Sequence, residues 1–322
     1  MDDYAVRIRG VTKRYGNHVA VSDLSFEVPT GVIYGVLGPN GAGKSTTLRM
    51  INDIIAPDEG EIRLLGGLHP GGQAAARVGY LPEERGLYPK MRVLDMLAFM
   101  GELRGLSGAE ARRRAGSWLE RLGLGQWKTN RVQDLSKGMA QKVQFAATVL
   151  HQPQLIILDE PWSGLDPINA EVLREVVTEQ QAAGRTVLFS THQMEQAEKI
   201  CDQVCIIARG KKVLDGNLVE IKRTAAAEGW IAVGFGGDGK NRAERVLADR
   251  AVVVTRRPPR PGDTADEEVE LAAGVAPERL LAALLEVGAA VRRFEVVTPT
   301  LHQIFVARVG DAATAARTEE AA

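Results

Sequence analysis

The chain has 322 residues, 45% hydrophobic and 25% charged, with 40 Lys and Arg against 41 Asp and Glu for a formal charge of −1. Such a length predicts two domains, and the composition is that of an ordinary globular protein with no overall pull toward nucleic acid or anionic lipid. No run approaches the roughly 18–20 apolar residues of a spanning helix, and Met1-Asp2-Asp3 puts acid where a signal peptide needs base, so the expected location is the cytosol.

In chain order, the first informative element is Val32-Ile33-Tyr34-Gly35-Val36-Leu37, an apolar run of buried-strand length. It feeds Gly38-Pro39-Asn40-Gly41-Ala42-Gly43-Lys44-Ser45-Thr46, a full match to the phosphate-cradling pattern G-x-x-x-x-G-K-[ST]. A helix is predicted from Thr46 to Ile55, with Leu48, Ile51 and Ile55 on one face. Strand, loop and helix in this order bring backbone N–H groups and the positive end of a helix dipole onto an anion, and the glycines let the chain turn tightly. Lys44 would reach the β- and γ-phosphates, and the Ser45 hydroxyl would give one oxygen to a Mg²⁺ that otherwise keeps several waters. A Gly-rich surface turn is the alternative reading, and the strand–loop–helix context speaks against it.

Residues from about 85 to 150 read as a helical insertion: Met91 to Leu103 has apolar positions 93, 94, 97 and 100, and Ala109 to Leu122 carries Arg112-Arg113-Arg114 on an amphipathic helix. The arginine run suits either a solvated face or a docking patch. Leu135-Ser136-Lys137-Gly138-Met139-Ala140-Gln141 precedes a helix over Lys142 to Leu150, with Ser136 as N-cap and Gly138 letting the backbone approach an anion. Leu155-Ile156-Ile157-Leu158-Asp159-Glu160 is an apolar run closed by two carboxylates, as when a central parallel strand delivers charge to a site at its C-terminal end. Asp159 would face the metal, and Glu160 would polarise a water for in-line attack on the γ-phosphate. Ser163-Gly164-Leu165-Asp166 follows, and the strand Thr186 to His192 places an imidazole just past its end, where it could contact the γ-phosphate. Cys201 and Cys205 lack the further Cys or His of a zinc site and read as core thiols.

Beyond a linker at 224–229 the character changes. Strands are predicted over Trp230 to Phe235, 251–255, 267–272 and Val291 to Val297, with helices over Asn241 to Asp249 and from Pro277 to about Val287. The order βαββαβ resembles a small α+β ferredoxin-like or ACT-like module, with residues 256–263 as a hairpin loop. A helix from Thr300 through Val309 and a frayed tail over 311–322 complete the chain. The domains are thus 1–223 and 230–310. The module has no catalytic cluster, and His302 reads as a surface residue. Small-molecule sensing, dimerisation and a plain stabilising cap all suit it, with a dimer-stabilising or regulatory role preferred.

The ordered set at 38–46, 135–141, 155–160, 163–166 and 192 resembles the nucleotide-binding domain of ABC transporters, over residues 4 to about 220. The resemblance implies an α/β P-loop NTPase fold with a helical subdomain and Mg²⁺-dependent ATP hydrolysis. It further implies that Tyr15 stacks on adenine, that Ser136 and Gly138 of the signature segment cover the γ-phosphate bound by another copy, and that Asp166 is a nucleotide-site residue. A core tyrosine is the alternative for Tyr15. Two departures stand out: the signature reads LSKGM where LSGGQ is more common, and Glu83 replaces a glutamine that contacts Mg²⁺ and senses the membrane partner. A carboxylate can also ligate that metal. The wording GYLPEERGLYP and LSKGM is most similar to bacterial exporter ATPases of the NatA and drug-resistance type. With one motif set per chain, the resemblance implies a homodimer closing on ATP, a separately encoded permease on the inner face of the membrane, and no nucleic-acid partner. A soluble ABC-type ATPase acting on ribosomes or DNA, and a low-turnover nucleotide-binding regulator, are the rival functions.

Overall fold

The computed structural model describes residues 4–84, 86–226, 229–259, 264–306 and 308. The chain divides between Leu218 and Val219 into two units. The first runs through β1 (Tyr4–Tyr15), β2 (His18–Pro29), β3 (Ile33–Leu37), α1 (Lys44–Ile51), β4 (Glu59–Leu64), α2 (Gly72–Ala75), β5 (Val78–Leu81), α3 (Val93–Leu103), α4 (Gly108–Arg121), α5 (Lys137–Val149), β6 (Leu155–Asp159), α6 (Pro167–Ala182), β7 (Thr186–Thr191), α7 (Met194–Ile200), β8 (Gln203–Ala208) and β9 (Lys211–Asn217).

Strands β2, β1 and β4 form an antiparallel sheet in that order, and β5-β6-β7-β3-β8-β9 form a second, parallel except for β9. The parallel strands β3, β6 and β7 are buried along their whole length, which is why they read as unbroken apolar runs rather than alternation. Val6, Ile8, Leu24 and Phe26 of the first sheet share a core with Val36, Ile157 and Leu188 of the second, and Phe26 stacks on Tyr34 with centroids 5.6 Å apart. Because β7 lies between β6 and β3, the C-terminal ends of three neighbouring strands open on one crevice. Cys205 is a core thiol and Cys201 is half-buried, and desolvation pushes both thiols above their usual range.

Helix α1 starts at Lys44, two residues before the expected Thr46, because Gly43 with φ 102° turns directly into it. It stops at Ile51, short of Ile55: the Asn52 side-chain amide donates to the Leu48 carbonyl at 2.8 Å and Asp53 takes a left-handed φ of 58°. Helix α5 likewise starts at Lys137 rather than Lys142, since the Ser136 hydroxyl accepts the Met139 N–H at 3.3 Å and so caps it directly. The arginine run on α4 is engaged locally, Arg112 with Asp95 and Arg113 and Arg114 with Glu110, whose carboxyl these guanidinium partners pull down to about 2.

α8 (Leu218–Ala226) makes residues 224–226, expected as linker, helical. The second unit continues with β10 (Trp230–Phe235), α9 (Gly239–Leu247), β11 (Val253–Arg257), β12 (Glu267–Leu271), α10 (Pro277–Glu286) and β13 (Val291–Val296). The βαββαβ order makes one sheet, β11-β12-β10-β13, antiparallel throughout, the strand order of the ferredoxin-like split βαβ pattern. Ile231, Val233 and Val269 bury against Ala243 and Leu247 of α9 and Leu280 and Leu284 of α10. Residues 301–306 are helical as expected, and His302 is exposed. The tail expected over 311–322 and residues 260–263 of the hairpin loop lie outside the described residues.

Candidate nucleotide-binding site

The crevice beneath α1 is a cleft of about 540 Å³ lined by Tyr15, Asn40, Gly41, Gly43, Lys44, Ser45, Thr46, Glu83, Glu160 and His192, joined by His18, Ala20 and Ser163. Its floor is the loop from Gly38 to Gly43. Gly43 cannot be replaced without displacement, since a Cβ there would lie 2.5 Å from the Ala20 carbonyl, and at Gly38 the Ile207 carbonyl would be closer still. Ala42 is buried beside them, and its carbonyl accepts from Gly210 N at 3.0 Å, tying the loop to the turn after β8.

Lys44 is only 5% exposed. Its ammonium donates to the carbonyls of Gly38 at 2.9 Å and Pro39 at 3.2 Å and stands 3.5 Å from Glu160 Oε1. The Ser45 hydroxyl donates to Asp159 Oδ1 at 3.1 Å, and the Ser190 hydroxyl donates to the same oxygen. Burial raises the Asp159 carboxyl above its ordinary range, the Ser190 and Ser45 donors pull it back, and the neighbouring Glu160 charge adds to the rise. Glu160, 6% exposed, accepts from Thr191 Oγ1 at 3.1 Å, from His192 N at 3.0 Å and, with the imidazole Nδ1 as donor, from His192 at 2.9 Å. Glu160 is also one of the few non-glycine residues with a left-handed backbone, φ 47°, held there by its N–H on the Ser190 carbonyl at 3.1 Å. Strain of this kind persists where the surroundings overdetermine a side chain's position. Tyr15 stands 48% exposed at the cleft's rim, with the Lys13 ammonium 5.9 Å from its ring centre, so it is not a core tyrosine.

Ser136, Gly138 and Asp166 do not line this cleft. They meet elsewhere on the same unit: Ser136 caps α5, Asp166 caps α6 by accepting the Asn169 N–H at 2.9 Å, and Gly138 lies against Leu165 and Asn169. The two places are connected through α5, where Gln141 donates to the Pro161 carbonyl at 3.1 Å and Gln144 donates to the carbonyls of Pro82 and Glu84, flanking Glu83, at 3.2 and 3.3 Å.

Sequence reasoning gave no individual role to His18, Ser190, Thr191 or, within the 163–166 motif, Ser163. His18 faces Tyr15 across the Gly16-Asn17 turn, so reading the β1–β2 hairpin would have found it. Ser190 and Thr191 are the polar end of an otherwise apolar strand, beside the parallel partner that carries Asp159.

The family described as ABC transporter matches residues 21–163, and the family described as ATP-binding protein DrrA1-3-like, C-terminal domain, matches residues 216–309. The chain is similar to the uncharacterized ABC transporter ATP-binding protein YhaQ of Bacillus subtilis, 40% identical over 93% of this chain and 97% of YhaQ. It is also 39% identical to the Nod factor export ATP-binding protein I of Cupriavidus metallidurans, over 67% of this chain and 72% of that one. A solved ATP binding subunit of an ABC transporter superposes with a TM-score of 0.63 at 32% identity, covering 69% of this chain and 93% of the other. The chain belongs to the ATP-binding proteins of ABC transporters, the family that hydrolyses ATP to power transport.

Proposed function

We propose that this protein is the ATPase subunit of an exporter, in which two copies close on ATP and Mg²⁺ and drive a separately encoded membrane permease from the cytoplasmic face. One observation carries the reading: Lys44, Ser45, Asp159, Glu160 and His192 meet at the ends of three adjacent strands, under a loop shaped for phosphate. In the proposed roles, Tyr15 supports the base, the N–H groups of the 38–46 loop and Lys44 hold the phosphates, Glu160 takes a proton from the attacking water, and His192 orients Glu160 through Nδ1. Thr191 and the His192 N–H hold the carboxylate so that one oxygen can be offered to water.

The donors available to a metal fit Mg²⁺. Ser45 and Asp159 share a hydrogen bond, Glu83 lines the same cleft, all three offer oxygen, and the buried Asp159 is a carboxylate that a cation would relieve. When bound, the ion would neutralise charge developing on the transferred phosphoryl group.

Ser136, Gly138 and Asp166 lie outside the cleft of their own chain, which supports their serving the nucleotide of a second copy. Export is supported by the name of the Nod factor relative, and a transport role over ribosome or DNA work by the relatives' names together with the near-neutral chain. Among the described residues no helix is long and apolar enough to cross a membrane, so the passage itself is assigned to the permease.

Glu160→Gln tests the mechanism, because it keeps the shape of the side chain and removes the base. The variant is expected to accumulate as an ATP-bound dimer in sedimentation velocity. A Glu160→Gln protein that stays monomeric at saturating ATP and Mg²⁺ would remove the two-copy reading.

A further inference from the structure

The C-terminal sheet has two edges, and they are finished differently. On one side β11 is irregular between Val253 and Thr255 and runs into Pro258 and Pro259, which cannot donate to a further strand. On the other side β13 pairs with β10 only, among the described residues, contains no proline, and keeps an unbroken register from Arg293 to Val296, its own irregularity falling before Arg293.

Val297 N–H donates to the Trp230 carbonyl at 2.8 Å. By the alternation of an antiparallel ladder, Glu295 turns its main-chain groups toward β10, and Phe294 and Val296 turn theirs toward the open edge. An antiparallel pair of identical strands must place residues of like parity opposite one another, because opposed side chains share a face. Centred on Phe294, this register sets Arg293 against Glu295 twice, once on each side of the two-fold axis, and Phe294 against its own copy. Within one chain Arg293 already reaches Glu295 at 2.7 Å, so the two side chains share the face on which they would exchange partners. On the helix-covered face Val296, opposite the buried Ile231, is an apolar side chain 44% exposed at this edge, and α10 packs beside β13.

We propose that β13 pairs with β13 of a second copy, antiparallel and centred on Phe294, joining two four-stranded sheets into one of eight strands. This association needs no nucleotide, so it is separable from the ATP-driven closure proposed above.

The test is a charge exchange on the full-length protein without nucleotide, read by sedimentation velocity. The wild type is expected to dimerise. Arg293→Glu and Glu295→Arg, each alone, set like charges opposite one another and should weaken self-association about tenfold or more. Mixing these two variants opposes Glu to Arg at both positions and should restore a dimer, now a heterodimer, with wild-type strength. Val296→Lys should also weaken the dimer while leaving the melting temperature unchanged, which separates lost pairing from lost folding. The proposal is overturned by a wild type that stays monomeric up to about 100 μM, by single variants that associate as the wild type does, or by a mixture that associates no better than its components.

Discussion

Both units bury charge, and they do so in contrasting ways. In the cleft, the ammonium of Lys44 rests on two main-chain carbonyls and a carboxylate, and Asp159 is satisfied by two hydroxyls. These are partners that a phosphate or a cation can replace. In the C-terminal sheet, Glu267 and Glu268 of β12 are buried against Arg256 and Arg257 of the adjacent β11, at 2.6 Å each, and Arg257 also covers the Trp230 ring at 3.7 Å. Neighbouring strands fix those partners in place. Buried charge therefore marks a binding site where its partners are exchangeable and a structural joint where strand register holds them.

The sharpest way to break this contrast is to remove one cation from each region. Lys44→Ala should lower ATP hydrolysis by about 10³-fold, through lost phosphate binding and charge stabilisation, with little change in melting temperature. Enzyme kinetics and calorimetry together check it. Arg257→Ala should act in reverse, costing about 2 kcal/mol by leaving Glu268 buried without this guanidinium, discounted because Arg257 is itself 39% exposed. ATP affinity, followed with a fluorescent analogue, should not move. If Lys44→Ala melted the protein, or Arg257→Ala abolished nucleotide binding, the distinction would fail.

A smaller effect comes from His151, a buried charge avoided. Its Nε2 donates to the Val78 carbonyl at 3.3 Å, Nδ1 is buried with no partner among the described residues, and burial first, then nearby Arg104, pulls the imidazole down to about 4. The unfolded chain takes up this proton near pH 6.5 and the native protein resists until about 4, so the contribution is full above 6.5 and is lost as pH falls to about 4. With a discount for partial exposure it amounts to about 2 kcal/mol. Denaturant titrations across that range should show this slope, and His151→Gln should flatten it. The smallest effect is expected at the rim: Tyr15→Ala should weaken ATP binding about tenfold, and Tyr15→Phe, which keeps the π face, should leave it intact.

How much could be read beforehand depended on whether a feature is local. The phosphate loop and the Asp159-Glu160 strand end are contiguous, so chemistry and position were written together. The C-terminal strands and helices were readable from alternation and from Pro277 at a helix start. The N-terminal sheet was not, because β1 pairs with β2 through repeated register shifts that blur any period of two. The burial of Glu267 and Glu268 was not legible either, since the arginines that permit it sit ten or so residues earlier and meet them only once β11 and β12 align. Ser190 became visible as an Asp159 donor only when β7 came to lie beside β6.

The contact between Lys44 and Glu160 has a consequence for the resting enzyme. Opposite charges 3.5 Å apart offset one another in the lining of the cleft, and the lysine competes with water for the carboxylate. In the proposed mechanism an incoming triphosphate, richer in negative charge, would draw the ammonium to itself and so free Glu160 to act as the base when fuel is present. On that mechanism the ion pair would act as a safety catch, released by what the protein consumes.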